Sequence, residues 1–301
     1  MRPGLPIVAA AAVGVQVGAA IVASRYVIGQ TTPVALALLR YAIGVLCLVP
    51  ALLLAQRVRF AARDVVPIGL LGIVQFGVLI VLLNVGLQFV PAGRGAVLFA
   101  TMPLLTLLLA AALGRERLTR SKLAGVLMAL LGVALALADK LHSGTANVEW
   151  LGALAVVASA ACGAACSVLY RPYLTRYPTL HVSAVAMLAS VGFLGVVAAT
   201  EGFFSSWPRF TASGWAAVAF IGLSSGVGYT LWLWALRHAS PTRVTVFLSL
   251  SPITAAILGA ILLAEPLRWM LLAGLVCVVA GIWLAFRPDP DAVTGVSAGA
   301  G

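Results

Sequence analysis

Rare residues in this chain recur at one fixed distance. Pro103 and Pro252 stand 149 positions apart (252 − 103 = 149), and the same step carries Arg94 onto Arg243, Glu116 onto Glu265, Gly125 onto Gly274 and Gly132 onto Gly281. Coincident leucines and alanines count for little in a chain rich in both. A proline inside an apolar run, a glutamate at its end and two glycines in the next run carry more weight. A gapless echo of this kind signals a duplicated structural unit.

The unit is a membrane one. Hydrophobic residues make up 62% of the 301 positions and charged residues 9%, against about 25% charged in an ordinary soluble domain. The apolar residues fall into runs of about 20, the length needed to cross a hydrocarbon core of roughly 30 Å. Ten spans can be drawn, at 6–27, 33–55, 65–89, 92–113, 121–138, 150–170, 180–200, 212–236, 241–264 and 268–286. The first run resembles a signal peptide in having Arg2 ahead of it, but a second span follows almost at once and no convincing cleavage pattern is present. It is read as a retained first helix.

Five spans in each half is an odd number, so the second copy enters the bilayer from the side opposite to the first. The expected fold is an all-α membrane protein of ten transmembrane helices arranged as two inverted five-helix repeats, an architecture of secondary transporters. The repeats are expected over 1–139 and 150–287, with a polar linker from Asp139 to Glu149 and a disordered cytoplasmic tail over 288–301. The net charge of +11 is a topology signal here and gives no reason to invoke nucleic acid. Thirteen of the 19 Lys and Arg residues fall on the side that holds Arg2, the Arg57–Arg63 loop, the Arg115–Lys122 turn and Arg287. Basic loops stay inside, so both termini are expected in the cytoplasm of a multi-pass cell-membrane protein.

These residues resemble the EamA family of the drug/metabolite transporter superfamily. The matching pattern is Ala100-Thr101-Met102-Pro103-Leu104, then Gly114-Arg115-Glu116-Arg117-Leu118-Thr119, then Leu123-Ala124-Gly125 with Gly132. Its second copy is Ser249-Leu250-Ser251-Pro252, Leu263-Ala264-Glu265-Pro266-Leu267, and Leu272-Ala273-Gly274 with Gly281. Arg40, early in the second span, also fits. The resemblance implies a ten-helix carrier of small metabolites, amino acids or drugs, often outward, commonly with proton or exchange coupling. The seventh span has no arginine to match Arg40; only His181 is ionisable there.

Pro103 and Pro252 lack a backbone donor and crowd the carbonyls of Phe99 and Leu248, so a bend near the middle of each span is expected. Glu116 and Glu265 end the fourth and ninth spans. Each is expected to cap the helix after it and to pair with Arg115, Arg117 or Arg268. None of the eight carboxylates, Asp64, Glu116, Asp139, Glu149, Glu201, Glu265, Asp289 and Asp291, lies mid-span. That removes a counter-charge for polycationic solutes. Arg40 sits about two turns inside its span, placed either for function or to snorkel outward.

The remaining polar groups singled out within spans are Gln16, Gln75, Asn84, Thr101, Ser224, Ser225, Tyr229 and Trp232. Singly, each reads as an interhelical hydrogen bond; together they concentrate on spans one, three, four and eight. The 149-residue step carries Gln75 onto Ser224, and an in-plane two-fold axis keeps both at the midplane. The expected site is therefore Gln16, Gln75, Thr101 and Ser224, with Tyr229 and Trp232 as a wall and Arg40 towards the outer mouth. Amides and hydroxyls without net charge suit a zwitterionic or neutral solute. Cys162 and Cys166 read as small buried hydrophobes, and no metal or cofactor is expected. Two other classes compete. An intramembrane enzyme needs a nucleophile with its base or a metal triad at depth, which the mid-span residues do not supply. A structural or chaperone-like subunit gives no reason for inverted duplication.

Overall fold

The computed structural model describes residues 5–115, 118–138, 146–239, 244 and 247–285. Among them every regular element is helical. Ten spans follow in order: α1 (Leu5–Val27), α2 (Pro33–Leu54), α3 (Ala62–Phe89), α4 (Ala92–Ala112), α5 (Arg120–Ala138), α6 (Ala146–Leu169), α7 (Thr179–Thr200), α8 (Ala212–His238), α9 (Phe247–Leu263) and α10 (Trp269–Ala285). Seven of the described helices are both long and apolar enough to span a bilayer, while α9 and α10 are shorter apolar helices. Large side chains such as Leu54, 91% exposed, and Ile261, 71% exposed, stand on the outside. In water these would be a liability; in lipid they face acyl chains, because the backbone is already satisfied within each helix. The tail over 288–301 and Glu116 lie outside the described residues.

Helix starts are set by local chemistry. The Thr32 hydroxyl accepts the Ala35 N–H at 3.1 Å with Pro33 in the first helical position, and Thr211 likewise accepts Gly214 N–H at 3.0 Å to open α8. Both satisfy donors that the helix itself leaves free.

Side-chain contacts at the helix ends fix the alternation of direction. At one face the Arg25 guanidinium, at the end of α1, donates to the Leu87 carbonyl at 2.6 Å and to Gln88 at 3.1 Å, at the end of α3. At that same face Glu265, past the end of α9, accepts from Ala92 N–H at the start of α4, and Arg94 in α4 pairs with Glu149 near the start of α6 at 3.6 Å. Odd-numbered helices therefore end where even-numbered helices begin. At the other face the Tyr177 hydroxyl donates to Asp64 at 2.7 Å, joining the α6–α7 turn to the start of α3, and Arg115 donates to the Val168 carbonyl. The second half thus begins on the face where the first half does not, which is the inverted arrangement.

The two-fold relation is sharpest between α5 and α10. A Cβ placed on Gly125 would collide with the Gly281 carbonyl oxygen, and one on Gly132 would meet the Gly274 oxygen at 2.6 Å. The four glycines let two antiparallel backbones touch, the close approach that drives helix association in lipid.

Three helices depart from uniform α geometry where the sequence asks for it. α4 is interrupted at Ala100–Thr101 and α9 opens with a 3₁₀ turn at Phe247–Ser249, in each case just ahead of the proline. α3 widens into a π turn over Ile73–Val78, with Gly72 just before it against the Ala186 backbone and Gly77 within it against Phe193.

Candidate functional site

A cavity of about 90 Å³ lies between the halves. α3 lines it with Gln75, Phe76, Leu79, Ile80 and Leu83, and α8 with Ser225, Gly228, Tyr229 and Trp232. Four of these are pairs under the 149-residue step: Phe76 with Ser225, Leu79 with Gly228, Ile80 with Tyr229 and Leu83 with Trp232. A fifth pair is Phe99 of α4 with Leu248 of α9. The cavity therefore sits on the pseudo-two-fold axis. α1 adds Val13, Gln16, Val17, Ala20 and Ile21, and α2 adds Arg40 and Tyr41.

The π turn carries Gln75 and Phe76. An extra residue in that turn rotates the helix beyond it, and such widenings recur at functional positions. Phe76 is wedged between Tyr41, with ring centroids 4.7 Å apart, and Tyr229, edge-on at 4.3 Å. Offset and edge contacts of this kind exceed simple burial in value and make the aromatic wall rigid.

Arg40 supplies the cavity's charge. It is 8% exposed, so it has not snorkelled to the surface. Its Nε donates to the Ser225 hydroxyl at 2.7 Å, and Ser225 in turn donates to the Ile221 carbonyl. The guanidinium carbon lies 5.5 Å from the Tyr41 ring centre, within cation–π range. Among the described residues no carboxylate pairs with Arg40. A desolvated cation with no counter-ion attracts an anionic group strongly.

The other expected site residues divide. Gln16, Gln75, Tyr229, Trp232 and Arg40 line the cavity. Ser224 does not; it lies behind Gln16, whose Nε2 donates to it at 3.1 Å, while Gln16 Oε1 occupies the space left by the missing side chain of Gly228. Thr101 is not on the wall because its hydroxyl turns back to the Leu98 carbonyl at 2.8 Å, satisfying its own interrupted helix. Asn84 is also off the wall, donating to the Pro33 carbonyl at 3.0 Å and so tying α3 to the start of α2. Tyr41 and Phe76 were not singled out from sequence. The available signal was an aromatic directly after the in-span arginine.

Glu265 corrects the expectation for its class. Its oxygens accept from Ala92 N–H at 2.9 Å and Gly93 N–H at 3.3 Å, with Arg25 Nε at 4.0 Å. It caps α4 of the opposite repeat, not the helix after it. The cause is Ala264, whose left-handed backbone (φ 51) turns the chain so that the carboxylate points back across the interface.

A second cavity, about 410 Å³, lies between α1, α8 and α9. Its lining carries no charged residue and includes exposed Phe220 and Leu262, so it is a cleft in the lipid-facing surface.

Inverted five-helix repeats around a cavity lined from both halves define the class of membrane carriers built from duplicated halves. A family model of the EamA-like transporter family matches residues 4–138 and 150–287, and the chain belongs to that family. It is 29% identical over 272 residues to an uncharacterized transporter of Archaeoglobus fulgidus, covering 90% of this chain and 94% of that protein. It is 31% identical over 229 residues to a protein of Streptantibioticus cattleyicolor named as a probable terminal-alkyne amino-acid exporter, covering 75% and 74%. A crystal structure 21% identical in sequence superposes with a TM-score of 0.70 over 95% of this chain and 97% of its own, a likeness of fold.

Proposed function

We propose that the protein is a secondary transporter that exports a small solute bearing a carboxylate, such as an amino acid, across the cytoplasmic membrane by alternating access. Both termini lie in the cytoplasm. The observation that carries this reading is Arg40, a buried cation without a carboxylate partner among the described residues, on the wall of a cavity shared by both repeats. Gln16 and Gln75 offer uncharged donors and acceptors beside it, and the aromatic faces of Tyr229 and Trp232 can meet an ammonium group. A zwitterion thus finds complements for both charges.

The name of the Streptantibioticus cattleyicolor relative, a probable terminal-alkyne amino-acid exporter, agrees with an amino-acid solute. Coupling to protons is a property for the same assay to read. The test is uptake into inside-out vesicles from a panel of neutral amino acids and small organic acids, with and without a pH gradient. Saturable uptake that needs Arg40 supports the reading; uptake of cations in preference to carboxylates contradicts it.

A further inference from the structure

The cavity wall is symmetric in α3 and α8 but not in the helices that close it. α1 and α2 line the cavity with Val13, Val17, Ile21, Arg40 and Tyr41 as well as Gln16 and Ala20, yet α6 and α7, their counterparts in the other repeat, do not line it. The 149-residue step maps the first five of these positions onto Cys162, Cys166, Tyr170, Ala189 and Ser190. Two of these counterparts carry buried hydroxyls. The Ser190 hydroxyl, 0% exposed, has no hydrogen-bond partner, and the Tyr170 hydroxyl, 1% exposed, has no polar neighbour but the Tyr229 hydroxyl, itself on the cavity wall. Buried polar atoms are nearly always paired, and leaving one unpaired costs about 1–3 kcal/mol. Both hydroxyls fall at positions whose repeat equivalents, Ile21 and Tyr41, face the cavity.

We infer that α6 and α7 form a second wall of the solute site, exposed when the two repeats exchange conformations, and that Tyr170 and Ser190 are solute-contacting hydroxyls in that state. The inference rests on the transport reading above and extends it. Tyr170 already lies against Tyr229, the polar neighbour of its hydroxyl, as the equivalent Ile21 and Ile80 lie on one cavity wall. In the exchanged state the hydroxyls hydrogen-bond polar uncharged groups of the solute. The exchange is not symmetric in charge. Arg40 maps onto Ala189, so the second wall has no cation there, and a carboxylate held in the first state is released from the second. The same asymmetry makes the solute favour the first state over the second, because a solute biases a two-state equilibrium only by its differential affinity.

The native thiol at Cys166 is a built-in probe, since its repeat equivalent is Val17. Two single-cysteine proteins are compared in membrane vesicles of both orientations, treated with a charged, membrane-impermeant methanethiosulfonate. One retains Cys166 with Cys47, Cys162 and Cys277 replaced by Ser; the other carries Val17→Cys with all four native cysteines replaced. The inverted relation requires the two positions to react from opposite faces of the membrane. Reaction of Val17→Cys alone, with Cys166 inert from both faces, overturns the second wall and leaves the transporter reading standing. Failure of both positions to react overturns the transporter reading with it. Ser190→Ala supplies the second measurement. It is expected to leave the thermal midpoint of the purified protein unchanged or higher, because no bond is lost, while lowering transport roughly 3- to 10-fold, the worth of one neutral hydrogen bond. A lowered midpoint with transport unchanged assigns the hydroxyl to structure and overturns its role.

Discussion

Gly132 and Gly274 face each other reciprocally: a Cβ on either would lie within 2.6 Å of the other's carbonyl oxygen. They are not repeat partners of each other. Gly132 repeats as Gly281, and Gly274 repeats Gly125, so the contact is what an axis between two antiparallel helices produces. Because the colliding atoms are backbone, a side chain at either position forces α5 and α10 apart. Gly132→Val is expected to destabilise the protein by about 1–3 kcal/mol, the usual range for overpacking, and the double variant with Gly274→Val by more. Thermal melting of the purified protein checks this; an unchanged midpoint would show that the two helices are not closely packed.

The Glu265 cap predicts a contact across the repeats. Replacing Glu265 by Ala strips the start of α4 of the acceptor for Ala92 and Gly93 N–H, at a cost of about 0.5–2 kcal/mol. Arg25→Ala, which frees the Leu87 and Gln88 carbonyls, acts at the same junction. The pair should therefore be non-additive in a double-mutant cycle. Strict additivity would mean that the two side chains act independently.

The prolines predict a functional break. Pro103 and Pro252 leave the carbonyls of Phe99 and Leu248 without their helical donor, and both of those residues line the cavity. The double substitution Pro103→Ala, Pro252→Ala restores the helical N–H at both. Transport is expected to fall at least 10-fold with expression retained. Full transport by the double variant would reduce both prolines to packing features.

Orientation is tested at Leu118, in the turn before α5. In a cysteine-free background, Leu118→Cys should react with impermeant reagent only in inside-out vesicles. Labelling in intact cells would reverse the assigned topology.

How much of each feature was legible in the sequence depends on how local its causes are. The ten spans and their inversion were readable because lipid imposes a length on each apolar run and because Pro103, Gly125 and Gly132 are each said twice. Arg40 was readable because a charge at depth is costly. Glu265 was misplaced because its partner, Ala92, is 173 residues away, and a single αL residue, Ala264, decides where the carboxylate points. The π turn that carries Gln75 depends on Gly72 meeting the backbone at Ala186, a tertiary contact. Thr101 was expected on the wall, but a hydroxyl beside an interrupted helix finds its nearest acceptor in that helix, at Leu98. Tyr170 stands at the end of an apolar run, where aromatic residues are ordinary interfacial anchors; only its buried hydroxyl beside Tyr229 and its equivalence to Ile21 mark it out.

The decisive experiment is uptake of labelled neutral amino acids and small organic acids into inside-out vesicles, comparing the wild type with Arg40→Ala and Arg40→Lys at matched expression. Saturable uptake of at least one carboxylate-bearing solute is expected for the wild type. Arg40→Ala is expected to lose roughly 10- to 100-fold, as when a charge-assisted hydrogen bond worth about 1.5–3 kcal/mol is removed, with partial recovery in Arg40→Lys. Equal uptake by the wild type and Arg40→Ala would contradict the assignment of this buried guanidinium as the group that holds the transported solute.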